Sequence, residues 1–357
     1  MWAMVVKEFR ELRRDRRAVA MMIVLPVLLL VVFGYAANFK VHDIPVVVVG
    51  PGAGQAASLL HEPTFHVTEV DAAAGEGVAQ AKLRDGQAVA AVVTGGSSPL
   101  VLLDGSQLFS AEAAEGALAP LAPAGGSAAA QVRILYNPAL ATSWVMVPGL
   151  AGLILVFIGT LITSLGVVRE RQSGTMEQLA VMPFRARDVI AGKIAPYLLL
   201  AAADLVIIIA IGMGVFHVPF AGNVAVFALG AALFLLVTLG MGVLVSTVSQ
   251  NQGQAIQLAF MIVLPQVLLS GLIFPVPSMA AGVRWISYVL PLTYFIQISR
   301  GVMLKATPIT GLWEPLALLA LLAVVVLGLA IIRFRRDLAP SSRRAQAPQL
   351  AGERVTA

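Results

Sequence analysis

Residues 169–193 read RERQSGTMEQLAVMPFRARDVIAGK, a polar island between two long apolar runs, Trp144–Val168 and Ile194–Phe216. Each run is long enough to cross about 30 Å of hydrocarbon, so the island is a loop at one membrane face. Thr175 and Gln178 stand three apart, the spacing of a capping box. In that motif the threonine hydroxyl accepts from the amide of Gln178, whose side chain reaches back to the cap. Met176, Leu179 and Ala180 then form a small apolar face, Glu177 sits in the first turn where the helix dipole favours an anion, and Pro183 limits the helix. A helix of about two turns does not persist alone and implies a surface to pack against. Arg169, Arg171, Arg185, Arg187 and Lys193 place the loop on the cytoplasmic side.

The composition agrees with a membrane protein. Of 357 residues, 59% are hydrophobic and 12% charged, whereas a soluble domain carries roughly 25% charge. Cysteine is absent, which excludes disulfides, thiolate metal sites and thiol nucleophiles. The net charge of +5 does not imply nucleic acid, because the basic residues flank apolar spans.

Towards the N-terminus, residues 1–17 are amphipathic. Trp2, Val5, Val6, Phe9 and Leu12 oppose Lys7, Arg10, Arg14 and Arg17, which predicts a helix lying in the cytoplasmic headgroup layer. Residues 18–39 are uncharged and form a first span. Gly34-Tyr35-Ala36 resembles a signal cleavage site, but the run is longer than a signal peptide's apolar core, so the span is retained. Residues 40–143 change character. Ile44–Gly50, Phe65–Val70, Ala88–Thr94, Leu100–Leu103 and Gln131–Tyr136 read as strands, with helices over Val78–Arg84 and Ser110–Leu121 and a low-complexity loop at 120–130. This is a small extracytoplasmic α/β domain inserted between the first and second spans. His42, His61 and His66 share no metal-ligand spacing.

Towards the C-terminus, no Asp, Glu, Lys or Arg occurs between Asp204 and Arg284. Polar turns at His217–Asn223 and Ser249–Gln254 divide this stretch into spans Ile194–Phe216, Val224–Val248 and Ala255–Phe274. Residues 275–314 contain Trp285–Ser299, apolar but too short and too broken by Pro291 to cross. They read as re-entrant or interfacial helices on the outer face, where irregular backbone must be covered by protein or line a wet cavity. The sixth span is Pro315–Ile332, and residues 333–357 form a basic cytoplasmic tail. Most of the 24 lysines and arginines lie in residues 1–17, 169–193 and 333–357, which sets both termini in the cytoplasm.

The chain cannot hold ATP in the usual way. Gly192-Lys193 is followed by Ile194, and Arg187 stands where a phosphate loop needs its upstream glycine. An intramembrane protease is also excluded, because no span buries a histidine beside a serine and Asp204 has no second carboxylate. Asp204 lies near the middle of the third span, where an ionised Asp costs roughly 2.5–3.5 kcal/mol to insert. Such a residue marks a substrate pathway, or is a protonated carboxyl bonded to a hydroxyl such as that of Ser164 or Thr238. Gly212-Met213-Gly214 and Gly240-Met241-Gly242 are close-packing patches.

Glu170–Leu179 followed by Met182-Pro183 resembles the cytoplasmic coupling segment of ABC type-2 transporter permeases, and Phe274–Arg300 is similar to the paired short helices before their last span. The resemblance covers the ordered chain. It implies an α-helical polytopic permease of six spans, part of an exporter in the bacterial inner membrane. ATP and Mg would bind a separate ABC ATPase subunit, docked through Gly174, Thr175, Glu177, Leu179 and Pro183. It further implies a second permease copy or paralogue, membrane lipid as surroundings and, from the size of the external domain, a periplasmic adaptor protein. The uncharged walls favour an amphipathic substrate. A receptor or scaffold would explain the external domain but not the two-turn helix, and a channel would want polar rings that these spans lack.

Overall fold

The computed structural model describes residues 43–60, 64–96, 98–118, 131–173 and 186–338. The N-terminal amphipathic helix, the first span, the loop at 120–130, the stretch Gly174–Arg185 and the tail beyond 338 lie outside these residues.

The described chain starts with β1 (Ile44–Val49), α1 (Ala53–Ser58), β2 (Phe65–Asp71), α2 (Glu76–Arg84), β3 (Ala90–Val93), β4 (Leu100–Asp104), α3 (Leu108–Leu118) and β5 (Gln131–Leu135). The strands form one sheet in the order β2-β1-β3-β4-β5, with only the β3–β4 pair antiparallel. β1 is apolar throughout, Ile44 and Pro45 followed by four valines, because helices cover both of its faces. Ile44, Val46 and Val48 pack with Phe65, Val101, Ala111 and Ala114 on one side. Val47 and Val49 pack with Ala79, Leu83 and Leu102 on the other. Gly50 ends the strand at φ +102°, and a Cβ there would lie 2.2 Å from the Thr94 carbonyl oxygen, so no other residue fits.

Six long or medium helices follow: α4 (Thr142–Gln172), α5 (Ala186–Gly214), α6 (Val224–Val248), α7 (Gln252–Leu269), α9 (Pro291–Met303) and α10 (Trp313–Leu338), with the short α8 (Ala281–Ser287) before α9. Among the described residues five helices, α4, α5, α6, α7 and α10, are long and apolar enough to cross a membrane. Several boundaries differ from expectation. α5 starts at Ala186 rather than at 194, because apolar character marks depth in hydrocarbon and the polar turns before it are helical too. α7 ends at Leu269 rather than at Phe274, because Gly271 takes φ +85° and turns the chain. α6 runs from Val224, capped by the Asn223 side chain, to Val248.

α9 is the unusual element. Pro291 occupies the first turn, where a missing N–H costs nothing, so it starts a helix rather than breaking one. Its 13 residues would rise about 20 Å, short of a bilayer. Leu292, Phe295, Ile298 and Val302 are nonetheless buried in the bundle core. Phe295 stacks on Phe234 of α6 at 4.3 Å between centroids, and a Cβ at Gly152 of α4 would press on Leu292 and Phe295. α4 and α6 meet through small residues: a Cβ at Gly242 would lie 2.8 Å from Thr163 Cβ, and one at Gly159 would lie 3.1 Å from Thr238 Oγ1. Gly212 faces Val147 and Gly240 faces Val326 and Leu327, while Gly214 has open space around it.

Candidate functional site

Two regions carry the chemistry, at opposite ends of α4. At its start the α/β domain is locked onto the helices. The carboxylate of Asp104, at the end of β4, is fully buried. Its Oδ1 accepts from the amide and hydroxyl of Ser106 at 3.0 and 2.6 Å. Its Oδ2 lies 2.5 Å from Nζ of Lys305, which follows α9 and is itself 8% exposed. Lys305 also donates to the Leu83 carbonyl at 2.9 Å, and Thr307 Oγ1 donates to the Arg84 carbonyl at 2.8 Å. The loop after α9 therefore caps the C-terminus of α2, where orphan carbonyls and the helix dipole favour a cation. The Tyr136 ring lies 5.8 Å from Lys305 Nζ, and burial, with Asp104 nearby, pushes the Tyr136 hydroxyl up to about 12. A second ion pair joins Arg284 of α8 to Asp43 at 3.7 Å.

Beside this junction lies a cavity of about 360 Å³ between the domain and the α7–α10 region. Ile44, Ile296 and Leu312 give it apolar wall, and Arg84, Gln297, Arg300 and Glu314 give it polar wall. Arg300 is positioned by donating to the Val145 carbonyl at 3.2 Å and the Leu272 carbonyl at 3.5 Å. Ser270, 1% exposed, also lines it, and its hydroxyl has no hydrogen-bond partner among the described residues. None of Asp104, Ser270, Arg300 or Lys305 stands out in the sequence. The one available signal was the placement of two isolated cations, Arg300 and Lys305, within an otherwise apolar stretch.

At the other end of α4 the sequence places Gly174, Thr175, Glu177, Leu179 and Pro183, all outside the described residues. The flanks of that segment are held. Glu170, near the end of α4, pairs with Lys193 of α5. Arg171 donates to the Ser249 carbonyl at 3.1 Å, and Gln252 Nε2 donates to Gln172 Oε1 at 3.0 Å. The two helices that frame the segment are thus fastened to each other and to the α6–α7 turn.

Asp204 sits on α5, half-buried, at the border between the packed face of Ala201, Leu205 and Ile209 and the exposed face of Leu200, Ile207 and Ile211. It makes no hydrogen bond or ion pair among the described residues. Ser164 and Thr238, the hydroxyls in reach on sequence grounds, donate instead to the carbonyls of Leu161 and Leu235 in their own helices. The structure therefore does not bring Asp204 together with either end site. Among the described residues no three His, Cys, Asp or Glu side chains converge as metal donors.

Comparison with known proteins gives this architecture a family. The chain is 29% identical to the Probable multidrug ABC transporter permease YbhS of Escherichia coli K12, over 94% of this chain and 97% of that one. It is 28% identical to the Probable multidrug ABC transporter permease YbhR of the same organism, over 94% and 98%. A more distant likeness, 28% over 45% of this chain and 22% of the other, is to ABC transporter G family member 20 of Dictyostelium discoideum. The model of the ABC-2 family transporter proteins matches residues 16–332, and the chain belongs to that family as a multi-pass transporter permease.

Proposed function

We propose that this permease subunit exports an amphipathic or lipophilic substrate, such as a drug, a lipid or a lipid-linked molecule. A separate ABC ATPase, which binds ATP and Mg, drives alternating access through the segment at 174–183. The observation that carries the reading is the cavity between the α/β domain and α9, whose wall is apolar on one part and polar, with charges of both signs, on another. A wall divided in this way suits a molecule with a greasy body and a polar end. The names of YbhS and YbhR, multidrug permeases, support the same substrate class. In this reading the α/β domain is external, the Gln172 end of α4 and both termini are cytoplasmic, and the membrane is the bacterial inner membrane. Two permeases, as a homodimer or a heterodimer, pair with two ATPases, and the external domain presents substrate to a periplasmic adaptor.

Topology is tested by single cysteines. Those at Gln55 and Ala280, both exposed, should react with an impermeant thiol reagent in sealed cells, whereas those at Ser173 and Ser341 should be protected. Reaction at 341 from outside would reverse the orientation.

Transport is tested in liposomes holding the permease with its ATPase. ATP-dependent export of an amphipathic dye is expected, and the permease alone should hydrolyse no ATP. Asp204→Asn should keep its abundance and lower export severalfold, as befits a carboxyl on the pathway. If Asp204→Leu leaves export and abundance unchanged, Asp204 is not part of the route. A chain that binds dye but never exports it would be a receptor or scaffold.

A further inference from the structure

The end of the bundle opposite the α/β domain has a groove that the transport reading does not use. It is framed by the last turns of α4, α6 and α10 and the first turns of α7. One compartment, about 490 Å³, is an aliphatic slot walled by Leu244, Val248, Leu258, Ile262, Leu329 and Ile332. A second, about 480 Å³, shares Thr247, Val248, Leu258 and Arg333 with the first and reaches Arg171. Val248, Leu329 and Ile332 are exposed, so the slot opens sideways, towards hydrocarbon in a membrane, and not into the bundle.

The two cations differ in how they are held. Arg171 donates to the Ser249 carbonyl, the C-cap of α6, which fixes its guanidinium at the polar mouth of the slot. Arg333 is exposed and makes no hydrogen bond or ion pair among the described residues. Among the described residues no carboxylate lines either compartment. The neighbouring Glu170 is engaged by Lys193.

We propose that this groove binds an anionic phospholipid of the adjacent leaflet, with one acyl chain in the slot and the phosphate between Arg171 and Arg333. Guanidinium is suited to phosphate because its N–H groups match the phosphate oxygens two at a time. The aliphatic slot selects a lipid over a soluble anion, since only a molecule with a tail fills both compartments. The chain's own basic segment is a poor occupant by charge: residues 1–17 carry Lys7, Arg10, Arg13, Arg14, Arg16 and Arg17, which the two arginines would repel. The site requires neither ATPase nor transported substrate, so it stands apart from the exporter reading.

The test places a reporter in the slot. Leu329→Trp, on an exposed position of α10, is reconstituted in phosphatidylcholine vesicles doped with either brominated phosphatidylglycerol or brominated phosphatidylcholine. The wild-type protein supplies the background from its own tryptophans. At equal bromolipid fraction, quenching by the anionic lipid should be severalfold stronger, and Arg333→Gln in the same background should bring the two lipids to parity. Equal quenching from the start would overturn the proposal, as would a preference that survives Arg333→Gln. Absence of quenching by either lipid would mean that protein fills the slot, and would also overturn it. Inorganic phosphate should leave the preference intact; if it abolishes the preference, the groove is a headgroup-only anion site and the lipid assignment fails.

Discussion

Lys305→Met should destabilise the protein by about 3–5 kcal/mol, the cost of leaving a buried charge without its partner. Asp104 is fully buried, and its two hydrogen bonds from Ser106 both go to Oδ1, so Oδ2 depends on Lys305. The same replacement removes the donor to the Leu83 carbonyl at the end of α2. Combining Lys305→Met with Asp104→Leu should recover much of the loss, because removing both charges leaves no unpaired ion in the interior. Denaturant unfolding of the purified permease in detergent measures all three proteins. A single variant within about 0.5 kcal/mol of wild type, as surface substitutions are, would mean that water reaches the pair and that the junction is not a dry lock.

The second large effect belongs to the coupling segment. A two-turn helix at 176–182 would draw most of its order from the ATPase surface. Leu179 would be the apolar anchor on that helix, and truncating a buried leucine costs roughly 2–5 kcal/mol. The lower figure already corresponds to about 30-fold weaker docking. Glu177→Lys would turn a charge-assisted contact into repulsion. Neither change should unfold the permease, because the flanks are tied independently by Glu170–Lys193 and by Arg171 to Ser249. Pull-down stoichiometry and substrate-stimulated ATPase activity in liposomes read the effect. Normal coupling in both variants would reduce residues 169–193 to an ordinary loop obeying the positive-inside rule.

What could be read from the sequence had a local cause. β1 is visible because burial on two faces demands a continuous apolar run, here ending in four valines, and α6 because polar turns stand at both its ends. α1 was missed because Ala-Gly-Gln-Ala-Ala-Ser has no large apolar residue to mark a period, and it packs through alanines alone, Ala53, Ala56 and Ala57. The Asp104–Lys305 junction was beyond reach for a different reason. The bond from Lys305 to Leu83 joins residues 222 apart, and a contact made only by tertiary folding leaves no spacing to read. Asp204 was conspicuous because an acid in an apolar run is costly. The run could not say which way the acid faces, and the structure sets it on the border of the packed face.

α4 has a mechanical consequence. It leaves the sheet through a short turn pinned by Asn137, whose side chain bonds the backbone at Gly105 and Ala141, so the helix starts with little play. It then runs 31 residues, about 46 Å, with Pro148 as the one residue in its interior that cannot donate to the helical ladder. It is gripped at several levels: Gly149 against Leu272, Gly152 against Leu292 and Phe295, Gly159 against Thr238, and Gly166 against Tyr197. A rod gripped along its length moves with its neighbours as one body, so a shift at the Gln172 end would be carried to the Thr142 end and to the α/β domain bolted there.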